Sequence, residues 1–415
     1  MVKRIGTRQI LLVVPAILLR FALMGAGFHG DLYSVYWRSH LLAYHGTAIE
    51  HNQLLVHLVH AGWLALLRLF SLIPHGIWLH PFDDATGWRA LAQHPWAPGI
   101  LILLKLPYLA AELGALALLL SIIPEHRRTA VRAYWLWNPF LLYGIHLYGR
   151  YESFPVLFVV LSLVALYRRR PLAGFLALMG AVLMRFYAAL LLPLFWWLAP
   201  RSGRERLVMT AGLVVPLLLV LAVQLAVSSS LPAFRDSAEL ASILTMPHRV
   251  FLFAAYVPLL QSDVIYLFPL ALFLIYLAIA QAARPAGIDE IWRWSASVMY
   301  TMFALTYFHP QWLAWLVPLL AIQHSVRPRV GILTALMGIA MVVYTFQFPR
   351  EASVLLFAPL APHSFETWPH PMELLDRVRL GGVAVGTFRT LISAILLHLA
   401  WMARNDRPFS EDDAR

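Results

Sequence analysis

The sequence predicts an all-α integral membrane protein, a single bundle of about twelve transmembrane helices that takes up residues 1–415. Hydrophobic residues make up 60% of the chain and charged residues 13%, whereas soluble proteins average about 45–50% apolar and roughly 25% charged residues. Apolar runs repeatedly approach the roughly 20 residues that cross a bilayer. Basic residues gather in short loops between these runs, as in the cytoplasmic loops of membrane proteins.

The apolar runs predict twelve spans, with two further stretches left ambiguous. The predicted spans are residues 9–28, 98–122, 130–147, 152–167, 171–184, 186–199, 207–228, 263–282, 291–307, 310–323, 330–347 and 382–402. If 53–73 or 249–261 also crossed, the basic loops would fall on opposite sides of the membrane, so we expect both stretches to be interfacial or re-entrant. Both termini are then cytoplasmic. The N-terminal run resembles a signal peptide, but the many later apolar segments favour an uncleaved first helix.

Two long loops are expected on the extracytoplasmic side, and they carry many of the remaining polar residues. The first, 29–97, is rich in His, Trp and Pro and is expected to contain interfacial or re-entrant helices; the second is 348–381. The preference for Arg over Lys indicates a bacterial plasma membrane as the location. The net charge of +11 follows from the cytoplasmic loops, so no nucleic-acid partner is expected. With no cysteine in the chain, disulfides and thiol nucleophiles are excluded.

Asp31 is the candidate catalytic residue. It follows the first span in "GFHGDLYSVYWRSH", where a carboxylate could act as general base toward an acceptor hydroxyl or simply cap a helix. His29 is a candidate partner of Asp31. Tyr33, together with Tyr36 and Trp37, suits either an aromatic membrane belt or stacking against a sugar.

Arg150, Glu152 and Arg185 are candidate ligands for a phosphate or sugar. Arg150 and Glu152 occupy a predicted outward turn, "HLYGRYESFPVLF", and their alternative role is a structural ion pair. Arg185 interrupts the apolar run "LMGAVLMRFYAALLLPLFWW". A charge there is costly if it faces lipid, whereas a guanidinium is suited to hold a phosphate through two hydrogen bonds.

Four further residues complete the candidate set. His309 and Gln311 lie in the turn "TYFHPQWLAWLVPLL", where His309 could bind phosphate or sugar, or cap a helix. Lys105 and Glu112 are seven residues apart in "LKLPYLAAELGALALLL" and so share a helix face. They are expected to support the site, either by pairing with each other or by lining a cavity.

Metal binding has scattered support in the sequence. The pairs His29 with Asp31 and Asp83 with Asp84 could supply ligands, as could the histidines at 45, 51, 57 and 60. No HExxH-type motif appears, and no Gly-rich phosphate loop such as GxGxxG. Amphipathic interfacial helices account for the 45–60 histidines as well as a metal does. No cofactor is therefore certain, and a divalent metal remains an alternative.

Taken in order, these features resemble the polytopic GT-C glycosyltransferases. The resemblance rests on the acidic residue after the first span, "KLPYLAAELGAL", "WLWNPFLLYGIHLYGRYESFPVLFVV", the Arg185 segment and "FHPQWLAWLVPLL", and covers roughly residues 8–325. It is strongest to bacterial relatives of the polyprenyl-phosphate-mannose-dependent mannosyltransferases, a group that includes the GPI mannosyltransferase I type.

The resemblance implies a fold, a reaction and roles for particular residues. It implies a GT-C bundle that transfers a hexose, most simply mannose, from a polyprenyl-phosphate donor to a hydroxyl of a glycan or glycolipid, with inversion, on the extracytoplasmic face. Asp31 matches the acidic residue that acts as base or orients substrate. "GRYES" matches a "GQxD"-like turn, with Arg150 and Glu152 in place of Gln and Asp, and Arg185 matches the basic residue before "LLLPL". The single carboxylate of "HGD" departs from the paired acidic motif, and with it from a metal requirement.

Two other functions use the same residues differently. A transporter or flippase of a lipid-linked glycan would also place cations in a membrane cavity. Such proteins often carry internal repeats, and no two-fold repeat is evident here. A scaffolding membrane protein would leave Arg185 and Glu152 without a role.

Overall fold

The computed structural model describes residues 7–47, 54–80, 86–200, 202–227, 251–259, 263–283 and 285–409. Most of these residues are helical. The α-helices, numbered in chain order, are α1 Thr7–Ala26, α2 Gly30–His45, α3 Leu54–Leu69, α4 Thr86–Ala92, α5 Ala97–Ile122, α6 Arg128–Leu136, α7 Pro139–Leu141, α8 Ser153–Tyr167, α9 Pro171–Met184, α10 Leu192–Leu198, α11 Gly203–Val227, α12 Leu267–Ala280, α13 Ile288–Leu305, α14 Val317–Val326, α15 Arg329–Thr345, α16 Pro362–Thr367, α17 Pro371–Arg377 and α18 Gly381–Ala403. The strands are β1 Tyr256–Pro258 and β2 Val264–Tyr266, which pair as one antiparallel hairpin.

Shorter helical turns join several of these elements. A π-helix covers Leu142–Leu147, and 3₁₀ turns cover His75–Leu79, Glu125–Arg127, Phe186–Leu191, Phe251–Phe253, Pro310–Leu316, Arg350–Ala352 and Val354–Phe357. The predicted all-α class therefore holds for the described residues, apart from the hairpin.

Two helices are long and apolar enough to cross a membrane on their own, Ala97–Ile122 and Gly381–Ala403. Ile10–Ala26 and Gly30–His45 meet the same criterion only together, and they are bent by 77° at their junction. Several of the predicted spans are shorter apolar helices, such as Ser153–Tyr167 and Pro171–Met184. The count of about twelve crossings, and the side on which each loop lies, stay predictions.

Breaks in the helices are the feature that positions the candidate site. α1 ends at Ala26, and three residues later α2 begins in a new direction. α9 gives way to an extended Arg185 and a 3₁₀ turn before α10 begins. Prolines explain two of the starts, because Pro139 and Pro193 stand in the first turns of α7 and α10, where a missing N–H costs no helical hydrogen bond.

The first predicted loop is folded against the bundle. α2 packs on α3 and also contacts α4. The hydroxyl of Tyr33 donates hydrogen bonds to the carbonyl oxygens of Ile77 (2.9 Å) and His80 (2.7 Å). Tyr33 is fully buried and stacks on Trp78 at 5.6 Å. Neither of the predicted roles of Tyr33, in a membrane belt or against a sugar, is compatible with this burial.

A fully buried ion pair links α1 to α5. The guanidinium of Arg20 donates to both carboxylate oxygens of Glu112, at 2.9 and 2.7 Å. Glu112 also accepts hydrogen bonds from the indole of Trp135 (3.1 Å) and from Nε2 of His146 (2.6 Å). The carboxylate is thus satisfied by partners on α1, α6 and the π-helix, which holds these elements around α5. The predicted pairing of Glu112 with Lys105 is wrong.

Candidate functional site

Backbone turns from separate parts of the chain meet at one end of the bundle. The amide of His29 donates to the carbonyl of Tyr148 (2.9 Å), and the amide of Phe28 donates to the carbonyl of Leu356 (3.0 Å). Gly27 allows this approach, because a Cβ there would lie 2.5 Å from the Leu356 oxygen. The residues after α1 are therefore held beside the turn that carries Arg150.

Lys105 holds the same two turns from inside the bundle. Its ammonium donates to the carbonyl oxygens of Met24 (3.0 Å) and His146 (2.8 Å), and also to those of Gly27 and Leu147. The side chain is fully buried. Lys105 therefore supports the site, as expected, but by holding backbone carbonyls and not by pairing with Glu112.

Two carboxylates and two guanidiniums alternate at this place, and we call Asp31, Arg150, Glu152 and Arg185 the charge cluster. Nη1 of Arg150 lies 2.8 Å from an Asp31 carboxylate oxygen. Nη2 of Arg185 donates to Glu152 at 2.9 Å. The Nε of Arg150 is 3.8 Å from the same Glu152 oxygen. The Arg150–Glu152 pair that the sequence left open is the weakest contact of the cluster, and each arginine has a closer carboxylate partner.

Aromatic residues hold the two guanidiniums in place. The ring of Tyr151 lies beneath both, 5.0 Å from the Arg150 guanidinium carbon and 4.6 Å from that of Arg185. The indole of Trp315 donates to the second oxygen of Glu152 at 2.6 Å. Such contacts favour a fixed orientation of planar cations. Neither Tyr151 nor Trp315 was a candidate in the sequence, although each lies in a segment quoted for its charged or polar residues.

Both arginines retain an unused donor. The Nε–H groups of Arg150 and Arg185 are buried and have no hydrogen-bond acceptor among the described residues. A buried donor without an acceptor costs about 1–3 kcal/mol. Functional sites are among the few places where this cost is retained.

Asp31 is the accessible member of the cluster. Its side chain is 40% exposed, against 10% for Arg150 and none for Glu152. Partial burial acts to raise the pKa of Asp31, but the Arg150 guanidinium and His29 outweigh it, and the pKa lies well below its usual range. Asp31 is therefore ionised at neutral pH.

His29, and not Asp31, caps α2. Nδ1 of His29 accepts a hydrogen bond from the Asp31 amide at 3.1 Å and lies 3.2 Å from the Asp31 carboxylate. The imidazole stacks on Tyr148, with ring centroids 4.3 Å apart. The cap interpretation of Asp31 is wrong, and His29 takes that role while it also contacts the carboxylate.

His309 borders the charge cluster without capping a helix. It precedes the 3₁₀ turn Pro310–Leu316, and its side chain makes no capping hydrogen bond. Burial lowers the pKa of His309 to about 4, while the charge of Asp31 acts to raise it and that of Arg150 to lower it. His309 is therefore neutral at pH 7 and cannot bind phosphate as a cation.

Gln311 lies within the same turn but is enclosed. It is buried, and its Oε1 has no hydrogen-bond partner in the described part of the chain. Its backbone packs against Gly144 of the π-helix, where a Cβ would come within 2.9 Å of the Gln311 carbonyl oxygen. We find no contact of Gln311 with the charge cluster.

The described residues contain no group of three or more His, Asp or Glu side chains close enough to hold a metal. His57 and His60 are buried, and His60 bonds to Tyr108 at 2.6 Å. Asp83, Asp84 and His51 lie outside the described residues. A divalent metal stays an untested alternative.

Gly149 is the residue that lets the Arg150 turn pass over Lys105. Its φ is +84°, and a Cβ there would lie 2.7 Å from Cε of Lys105. We expect Gly149→Ala to lower the free energy of unfolding by about 1–3 kcal/mol, because it adds both strain and a collision. Thermal unfolding in detergent measures this.

Gly114→Ala is the matched control, because a Cβ there meets only Leu157, at 3.8 Å. It should leave the unfolding temperature unchanged or raise it. Equal effects of the two substitutions would contradict this description of the turn.

No family model, curated protein or solved structure matches this chain.

Proposed function

We propose that the protein is an integral membrane glycosyltransferase of the GT-C type, which transfers a hexose from a polyprenyl-phosphate donor to a hydroxyl acceptor. The observation that carries this proposal is the charge cluster: an exposed, ionised carboxylate sits next to two buried guanidiniums that share one aromatic ring. The group-transfer reaction needs these two elements side by side. A base or orienting group faces the acceptor, and cations face the departing phosphate.

Arg185 and Arg150 would hold the donor phosphate. Each guanidinium has an Nε–H that no described residue accepts, and arginine binds phosphate oxygens through paired N–H groups. As the glycosidic bond to phosphate breaks, negative charge grows on the phosphate, and fixed guanidiniums stabilise it without reorganisation.

Asp31 would take the proton from the acceptor hydroxyl as that oxygen attacks the anomeric carbon. In the structure Asp31 is paired with Arg150 at 2.8 Å, which keeps the carboxylate ionised but weakly basic. A phosphate that competes for Arg150 would loosen this pair and add a like charge nearby, and both effects raise the basicity of Asp31. Donor binding and base activation would thus be coupled.

The proposed substrates are hydrophobic at one end and polar at the other. The donor is a polyprenyl-phosphate hexose, with mannose proposed as the sugar. The acceptor is a hydroxyl of a glycan or glycolipid, and transfer occurs on the extracytoplasmic face of a bacterial plasma membrane. Inversion at the anomeric carbon is part of the proposal, because a single attack by the acceptor needs only one carboxylate base.

The alternative, a transporter or flippase for a lipid-linked glycan, is favoured by one observation. Transporters often bind substrate at interrupted helices, and here α1 and α2 are bent by 77° while α9 breaks at Arg185. A flippase would move the donor across the bilayer without breaking a covalent bond.

Donor binding and flipping can be separated in one reconstituted system. Liposomes would carry a fluorescent polyprenyl-phosphate hexose, with and without the protein, and accessibility of the lipid to a membrane-impermeant quencher would be followed over time. We expect saturable binding that Arg185→Gln weakens by at least about tenfold, and no movement between leaflets. Protein-dependent movement between leaflets would favour the flippase instead.

The activity should depend little on pH between about pH 5 and pH 8. Over this range Asp31 stays ionised, because its pKa is lowered, and His309 stays neutral, because burial lowers its pKa to about 4. Rates of transfer at saturating donor would be compared for the wild type and His309→Gln. The two profiles should have the same shape, and an acidic limb present only in the wild type would contradict the neutral state of His309.

A further inference from the structure

A second cavity lies next to the charge cluster, at the same end of the bundle. Its volume is about 480 Å³, and it opens between α13, α15 and α18. Tyr307 and Tyr344 form part of its wall, and Arg389 of α18 lines it. The ring of Tyr307 is 5.7 Å from that of His309, which borders the cluster.

Arg389 carries a positive charge into this cavity. Its guanidinium lies 4.8 Å from the centre of the Phe308 ring and donates hydrogen bonds to Phe303 O (3.1 Å), Ala304 O (3.1 Å), Thr306 O (2.6 Å) and Ser393 Oγ. These carbonyls belong to the end of α13 and the residue that follows it. Arg389 therefore caps this helix, whose C-terminal dipole amounts to roughly half a negative charge.

The rest of the charge of Arg389 has no partner in the described structure. No described carboxylate lies within ion-pair distance of Arg389, and none lines the cavity. Its Nε–H makes no hydrogen bond to a described residue. Arg20, Arg150 and Arg185 each contact a carboxylate, and Lys105 is enclosed by carbonyl oxygens. A half-buried cation without a counter-charge is costly in an apolar surrounding, so an anion would be stabilised here.

The shape of the cavity indicates what kind of anion fits. Along α18, Gly382 and Gly386 leave open space where side chains would stand, and Val385 adds an apolar surface between them. α18 is one of the two helices long and apolar enough to cross a membrane. The cavity thus has a cation and hydroxyl groups at one place and an apolar wall that continues along a predicted transmembrane helix.

We propose that this cavity binds the phosphate of an anionic membrane lipid, with the guanidinium of Arg389 on the phosphate and the lipid chain along the glycine face of α18. Tyr307 supplies a further hydroxyl toward the headgroup. The site is separate from the charge cluster, and the proposal does not depend on the transfer of a sugar.

Lipid retention on the purified full-length protein tests this proposal. The protein would be solubilised in detergent with phosphatidylglycerol, phosphatidylcholine or inorganic phosphate, and bound molecules would be counted by native mass spectrometry. We expect one tightly held phosphatidylglycerol in the wild type and in Arg389→Lys, and retention at least about tenfold weaker in Arg389→Gln.

A second pair of variants keeps the test valid if Arg389→Gln does not fold. Gly386→Leu fills the cavity from α18, whereas Gly62→Leu makes the same change in α3, where the added side chain also meets open space. Only Gly386→Leu should lose the lipid. Retention in Gly386→Leu, equal binding of phosphatidylcholine, or displacement by inorganic phosphate at the lipid's own concentration would each overturn the assignment of an anionic lipid.

Discussion

Asp31→Asn should abolish sugar transfer, with a loss of about 10²- to 10⁴-fold in kcat. The amide keeps the shape of the side chain and can still accept a hydrogen bond from Arg150, which lies 2.8 Å away in the wild type. It cannot take a proton from an acceptor hydroxyl. The measurement is the initial rate at saturating donor and acceptor, together with a thermal unfolding curve that shows whether the variant is folded.

A second carboxylate serves as the control for Asp31. Glu366 is partly exposed and lies 3.6 Å from Arg89, so Glu366→Gln neutralises an accessible carboxylate beside an arginine away from the charge cluster. This variant should retain the wild-type rate. A folded Asp31→Asn variant that turns over like Glu366→Gln would remove Asp31 as the base.

Glu112→Ala should destabilise the protein by about 3–5 kcal/mol. The substitution leaves the fully buried guanidinium of Arg20 without its bidentate partner and removes the acceptor for Trp135 and His146. A buried cation without a partner costs far more than the pair contributes, because its desolvation is no longer offset. Unfolding temperature and the yield of monodisperse protein in detergent report the effect.

The double variant Arg20→Met with Glu112→Leu separates a lost charge partner from a lost contact. Apolar residues of similar volume often replace a buried ion pair at little cost. The double variant should therefore be more stable than Glu112→Ala, although it differs from the wild type at two positions. A double variant that is less stable than the single one would show that the carboxylate matters through its hydrogen bonds and not through the charge of Arg20.

The sequence predicted the members of the charge cluster better than it predicted their partners. Ionisable residues in or beside apolar runs are costly enough to be noticed, and this cost drew attention to Asp31, Arg150 and Arg185. Which carboxylate pairs with which arginine depends on the breaks in the helices, and a sequence pattern of apolar runs does not contain them. The break at Arg185, for example, lies inside a stretch that is apolar on both sides.

Lys105 and Glu112 show the limit of arguments from spacing. Their seven-residue separation correctly predicts one face of α5, and both are buried. Their partners come from elsewhere, since Arg20 is 92 residues from Glu112 and the carbonyl of Met24 is 81 residues from Lys105. Contacts at such separations follow from packing of helices, and periodicity along one helix says nothing about them.

The most direct test of the proposed transferase is turnover by the purified wild-type protein. The protein would be incubated in detergent or liposomes with radiolabelled polyprenyl-phosphate hexoses, with nucleotide-activated hexoses as the comparison, and with a panel of hydroxyl acceptors. We expect label to appear in an acceptor from the polyprenyl-phosphate donor, mannose in particular, and none from the nucleotide-linked sugars. No transfer from any lipid-linked donor, by protein that is folded and binds the donor, would contradict the proposal.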